Sequence, residues 1–244
     1  MMDSGDDRRS NSTPGREVES LARAVLDRVA DRSRSNGPSD YFIDRLCIVL
    51  VSGDYAASEA LLRSRIAWRA DYAELADEAL SAAARALGRK WESDTLSFAE
   101  VTVAISQILR LNQTFSRRHV PISRSDAERV ALFATIEGQG HSLGIVLAAE
   151  AFRQRDWHIE MVLEQRERTI LDRVVRLRPE VLGLTVSGSD RMTRIGFLVR
   201  EVNRLPVPVT ILLGGQGAAK LAAALPAGRK VRVVTDIVSA LRDL

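Results

Sequence analysis

The 244-residue sequence predicts an α/β protein: a helical bundle at 16–122, preceded by a disordered tail at 1–15, then a five-stranded parallel sheet domain at 128–244. Three observations carry this reading. From Tyr41 to about Val120 apolar residues recur at three- and four-residue steps; beyond the polar stretch Ser123-Arg124-Ser125-Asp126 they fall in short β-rich runs; and those runs alternate strictly with amphipathic helical segments.

Residues 1–15 are rich in Ser, Asp, Arg, Asn and Gly and hold too few apolar side chains to offset the entropy of ordering. A first helix is expected over Glu17–Arg32, ending at the breaker Ser35-Asn36-Gly37-Pro38. Next, Phe42, Leu46 and Val49, and later Phe98, Val101, Ile105 and Ile108, each mark one face of a helix. The Ala-rich stretch Ala73–Leu87 has high helix propensity, with Leu75, Ala79, Ala82 and Ala86 along one side. Gly53, Gly88 and the Ser93-Asp94 pair are the expected breaks between helices, giving a bundle of roughly four or five.

In the second half, strands are expected at Val130–Ile136, His158–Leu163, Val181–Ser187, Val207–Leu213 and Val231–Val234. Helices are expected between them at Ser142–Gln154, Thr169–Leu177, Met192–Arg204 and Gln216–Ala224, with a last one from Asp236. Such alternation implies right-handed crossovers and helices on both faces, a Rossmann-like (flavodoxin-type) arrangement. Ligands of such sheets bind beyond the carboxyl ends of the strands, so the loops after strands one, three and four matter most.

Composition narrows the function. No run reaches the eighteen or so apolar residues that cross a bilayer, and Met1–Pro14 is polar, so a cytoplasmic protein without membrane attachment is expected. The single Cys47 excludes an internal disulfide and a thiolate cage, so any metal arrives in a cofactor or is held by His, Asp and Glu. The net charge is only +3, and most arginines are interleaved with acids, as in Arg166-Glu167-Arg168. With no zinc-finger or zipper spacing either, direct nucleic-acid binding is not expected.

The loop after strand one reads Glu137-Gly138-Gln139-Gly140-His141-Ser142-Leu143-Gly144. Its glycines miss the dinucleotide pattern. An imidazole at a strand-to-helix turn can aim one nitrogen at a metal, although His141 could simply cap the helix. Gly144 leaves room for a bulky group beside the sheet. The third loop, Thr185-Val186-Ser187-Gly188-Ser189, offers hydroxyls, and the fourth, Leu213-Gly214-Gly215-Gln216-Gly217, bare backbone. Together they suggest a deep slot between sheet and helices.

These residues resemble the cobalamin-binding domain family, whose pattern is Asp-x-His-x-x-Gly, then Ser-x-Leu, then Gly-Gly; here Gln139-x-His141-x-x-Gly144, Thr185-Val186-Ser187 and Gly214-Gly215 correspond. The resemblance implies that His141 is the axial ligand to cobalt, that Thr185 and Ser187 line the pocket for the displaced dimethylbenzimidazole tail, and that the glycines let the nucleotide approach. Gln139 stands where the family has an acid, which implies a weaker hydrogen-bond acceptor for the ligating imidazole. The segment Gly88-Arg89-Lys90-Trp91-Glu92-Ser93-Asp94-Thr95-Leu96-Ser97-Phe98-Ala99 is similar to the turn of cobalamin-capping bundles whose Trp covers the corrin's upper face. Val101 and Thr102 occupy the positions of the Glu-His pair of methionine synthase and CarH-type photoreceptors.

The combination looks most like the AerR/PpaA-type antirepressors of photosynthesis genes. It implies a regulator, not an enzyme, that binds hydroxo-, adenosyl- or methylcobalamin, responds to light or redox state, and acts on a DNA-binding repressor protein through protein contact. Two alternatives remain: a corrinoid carrier of a methyltransferase system, and a haem-binding sensor using His141, His158 or His119. His158 reads as a core or edge-strand residue and His119 as a helix-end residue.

Overall fold

The computed structural model describes residues 40–65, 72–117, 129–140, 142–225, 231–242 and 244. The expected tail at 1–15, the helix Glu17–Arg32, its breaker and the polar linker at 123–126 lie outside them, as do His119 and His141.

The three- and four-residue apolar steps become helices α1 (Asp40–Val51), α2 (Tyr55–Arg65), α3 (Tyr72–Leu75), α4 (Ala82–Glu92) and α5 (Phe98–Ser116). Helix α1 buries Phe42, Ile43, Leu46, Cys47 and Leu50 along one stripe. Burying a side chain such as Leu46 or Leu50 contributes about 1.5–3 kcal/mol each, which helix propensity alone does not supply. Gly53 ends α1 with a left-handed φ of 73°. Gly88, expected to break the bundle, instead lies inside α4. The helix runs on to Glu92 and turns at Asp94, whose φ is 54°. Propensity lost at one glycine is only about 1 kcal/mol, which packing of Ala83, Ala86 and Leu87 outweighs. The Ala-rich stretch is not one regular helix either, because Ala76–Ser81 widens into a π-helical turn between α3 and α4. Helix α5 starts at a capping box: Ser97 Oγ accepts from the Glu100 N–H, and Glu100 Oε2 accepts from the Ser97 N–H at 2.8 Å.

The second half forms β1 (Arg129–Ile136), α6 (Leu143–Arg153), β2 (Trp157–Gln165), α7 (Glu167–Leu177), β3 (Val181–Thr185) and α8 (Ser189–Arg204). It continues with β4 (Thr210–Gly214), α9 (Ala218–Ala224), β5 (Val231–Val233) and α10 (Ile237–Arg242). All strand pairs are parallel, in the order β2-β1-β3-β4-β5. Strand β3 stops two residues short of the expected Ser187, and β4 starts three residues after the expected Val207. Pro206 and Pro208 lack the N–H a ladder needs, and the Val209 N–H closes a turn onto Val207 O at 2.9 Å.

Helices α6 and α10 join the two halves. Leu147, Ala151 and Ile237 belong to the same buried cluster as Leu46, Leu80, Ile108 and Leu111 of the bundle. Gln154 Nε2 donates to Ser116 O at 3.2 Å, and the buried Tyr72 hydroxyl donates to Asn112 Oδ1. Asp77, on the π-helical turn, accepts from the Ile237 N–H at the start of α10. Burial raises the Asp77 carboxyl above the usual range, with Asp236 adding to the rise, while the Ile237 bond and Arg85 oppose it. On the opposite sheet face α8 packs Ile195, Leu198, Val199 and Val202 against Leu182, Leu184 and Ile211.

Candidate functional site

Strand order reverses between β1 and β3, the switch point where such sheets open a crevice at their carboxyl edge. The pairing shows the opening directly. The last β1–β3 pair is Ala134 with Leu184, after which β1 slips register against β2 while Thr185 goes on pairing with Gly214 of β4.

Gln139 sits in this gap, fully buried. Its Nε2 donates to Thr185 O at 2.6 Å and to Ser187 Oγ at 3.3 Å, and its Oε1 accepts from the Ile136 N–H at 3.4 Å. The structure therefore brings together Gln139, Thr185, Ser187 and Gly214. Ser142 is the N-cap of α6 without a side-chain cap bond, and Leu143 packs against the bundle core. Gly144 is exposed, and a Cβ built on it meets nothing within 4 Å.

Thr185 and Gly214 continue the face that carries Val181, Gly183 and Leu212, the face covered by α6. Deeper on that face, a Cβ at Gly183 would lie 2.5 Å from the Phe133 ring. Phe133 stacks edge-on against Phe152 at 5.1 Å, and Phe152 meets Trp157 at 5.3 Å, so three aromatic rings close the lower part. Its upper part presents the half-buried Thr185 hydroxyl, which makes no hydrogen bond among the described residues, and the bare Gly214. A hydroxyl and uncovered backbone on this face leave polar groups available to a ligand entering between the sheet and α6.

Gly215 behaves differently from its neighbour. Its φ is 95°, and a Cβ there would lie 2.6 Å from Val186 O. The close approach that this glycine permits is to the β3 loop, tied by Val186 N–H to Gly214 O (2.7 Å) and Gly217 N–H to Val186 O (3.0 Å).

Charged groups brace the rim. Arg194 holds Glu167 through two bonds and donates to Glu137 O at 3.0 Å, which keeps the Glu167 carboxyl below its ordinary value. Glu164 Oε2 accepts from the Gly138 N–H at 2.7 Å. Thr135, fully buried, accepts from the Glu164 N–H at 2.9 Å and holds the edge strand across the register slip.

Trp91, Val101 and Thr102 lie on the α4–α5 corner of the bundle and make no hydrogen bond to the sheet loops among the described residues. Trp91 is 45% exposed and Phe98 75%. The Thr102 hydroxyl is committed to Phe98 O at 2.8 Å, so neither it nor Val101 presents a ready ligand. His158 is exposed at the amino end of the edge strand β2, opposite the carboxyl-edge loops. Among the described residues no three His, Cys, Asp or Glu side chains converge on a metal position. Nor is any described helix long and apolar enough to cross a membrane.

Thr135 and Phe133 were not singled out by the sequence. A lone glycine at 183 inside a strand was the available signal for Phe133.

Residues 129–239 match the B12-binding domain family. An uncharacterised 20.5 kDa protein from the bchF-crtJ intergenic region of Rhodobacter capsulatus is 26% identical over 154 residues, covering 62% of this chain and 80% of that protein. The monomethylamine corrinoid protein of Methanosarcina barkeri superposes with a TM-score of 0.67 at 14% identity, covering 84% of this chain and 98% of that one. At that identity the likeness is one of fold.

Proposed function

We propose that the protein, whose residues 129–239 match the B12-binding domain family, is a cobalamin-dependent regulator that acts on a DNA-binding repressor by protein contact and performs no catalytic step of its own. His141 would hold the cobalt, Thr185, Ser187 and Gly214 would receive the nucleotide tail on the α6 face, and Trp91, with Val101 and Thr102, would cover the corrin. Bound, the cofactor supplies a coordination position that responds to light or redox state. A ligand shifts an equilibrium only through different affinities for two states, so the bundle has two arrangements against α6 and α10. The altered bundle surface is what the repressor reads.

The observation that carries the regulatory reading is the α4–α5 corner: two large aromatic side chains, Trp91 and Phe98, stand exposed where no side chain at 101 or 102 offers a ligand. A relative from the bchF-crtJ region of Rhodobacter capsulatus supports the same reading. The test is direct. Purified protein mixed with hydroxocobalamin should retain the corrin through gel filtration, and His141→Ala should alter the visible cobalt bands. Illumination should then change capture of the repressor; equal capture in dark and light refutes light gating, and corrin lost entirely to the flow-through refutes cofactor binding.

A further inference from the structure

Resting on the cobalamin reading above, we propose that Gln139 is a positioning residue for the nucleotide tail: its amide bridges β1 to β3 and sets the width of the crevice that the tail enters. Three observations combine here. Backbone pairing between β1 and β3 ends at Ala134 and Leu184, so nothing in the ladder holds the strands together beyond that point. The Gln139 side chain takes over, with its Nε2 on Thr185 O and Ser187 Oγ and its Oε1 on the Ile136 N–H. It is also fully buried, so water cannot replace these bonds at low cost.

Both ends of the amide are needed. Thr185 O can only accept, so the group facing it must donate, while the Ile136 N–H demands an acceptor. A glutamate of the same length keeps the second contact and sets a carboxylate oxygen against the Thr185 carbonyl, in a buried place where neither can turn to water. An acid at 139 therefore works against this crevice, although its chemistry would suit an imidazole partner. Thr185, whose main chain Gln139 holds, is also the residue whose half-buried hydroxyl stands in the row with Gly214. Widening the gap displaces that row.

The experiment uses the full chain and two corrinoids, hydroxocobalamin and aquocobinamide, the second lacking the nucleotide tail. Gln139→Glu and Gln139→Met are titrated with each by absorption, and their urea midpoints are measured without ligand. Gln139→Glu should bind hydroxocobalamin about tenfold or more weakly, with Gln139→Met between it and the parent. Cobinamide affinity should stay within about twofold for all three, because a ligand without a tail does not use the crevice. Equal losses for both corrinoids, or a Glu variant that binds hydroxocobalamin as the parent does, would overturn the proposal. A parent chain that binds neither removes the cobalamin reading and this inference with it, whereas selective failure of the cobinamide comparison removes this inference alone.

Discussion

Adding a single methyl group at Gly215 or at Gly214 should have opposite consequences, although the two glycines are neighbours in the same motif. At Gly215 the backbone has a φ of 95°, and an alanine Cβ would lie 2.6 Å from Val186 O and 3.2 Å from Val186 C and N. Those are main-chain atoms pinned by hydrogen bonds of 2.7 and 3.0 Å to the same loop, so they cannot give way without loss. An L-residue in the left-handed region costs about 1–2 kcal/mol, and overpacking adds about 1–3 kcal/mol. The sum, roughly 2–5 kcal/mol, is a large part of an ordinary fold's 5–15 kcal/mol, at about that order. With a urea slope of about 2–3 kcal/mol/M, the midpoint of Gly215→Ala should fall by roughly 1–2 M. At Gly214 the nearest atom to a new Cβ is Val234 Cγ2 at 3.6 Å, an ordinary contact, and the backbone is not left-handed. Gly214→Ala should keep its midpoint within about 0.3 M. It should nonetheless bind hydroxocobalamin less tightly, since its methyl lands beside Thr185. Urea unfolding followed by far-UV circular dichroism, without cofactor, measures both. A Gly215→Ala midpoint as close to the parent as that of Gly214→Ala would refute the reasoning.

Three further outcomes follow from other parts of the molecule. Gly88→Ala should stabilise the protein by about 0.8–1 kcal/mol in thermal or urea unfolding, because the residue is inside α4 and a Cβ there meets nothing within 4 Å. Asp77→Asn should be more stable than the parent at neutral pH: burial lifts the folded-state value of Asp77 above the unfolded one, so the charged form opposes folding there. That cost fades as pH falls through the raised value, and the two chains should converge near about pH 4 in pH-dependent urea unfolding. Phe98→Ser should leave stability within about 0.5 kcal/mol, given a side chain 75% exposed, while weakening cobalamin retention.

Much of the architecture was legible before any coordinates. Strands and helices of the second half follow from local periods of two and 3.6 residues, and β1 and β5 end within a residue of the expected positions. Where expectation and structure part, a neighbour outweighs a local rule. Gly88 signals a break by propensity, yet burial of Ala83, Ala86 and Leu87 carries the helix through it. The two prolines near β4 postpone that strand, because neither has the N–H that a ladder needs.

What the sequence determined by itself was the order of strands and helices and which loops end at the crevice, because a strand-to-helix turn, hydroxyls after the third strand and glycines after the fourth are patterns written within a few residues. Only tertiary structure decided what each of them touches. Gln139 reaches Thr185 and Ser187, Gly215 yields its missing side chain to Val186, and Asp77 meets the start of α10. Each partner lies tens of residues away along the chain, and no local period encodes which distant carbonyl a buried amide will find once the strands have closed side by side.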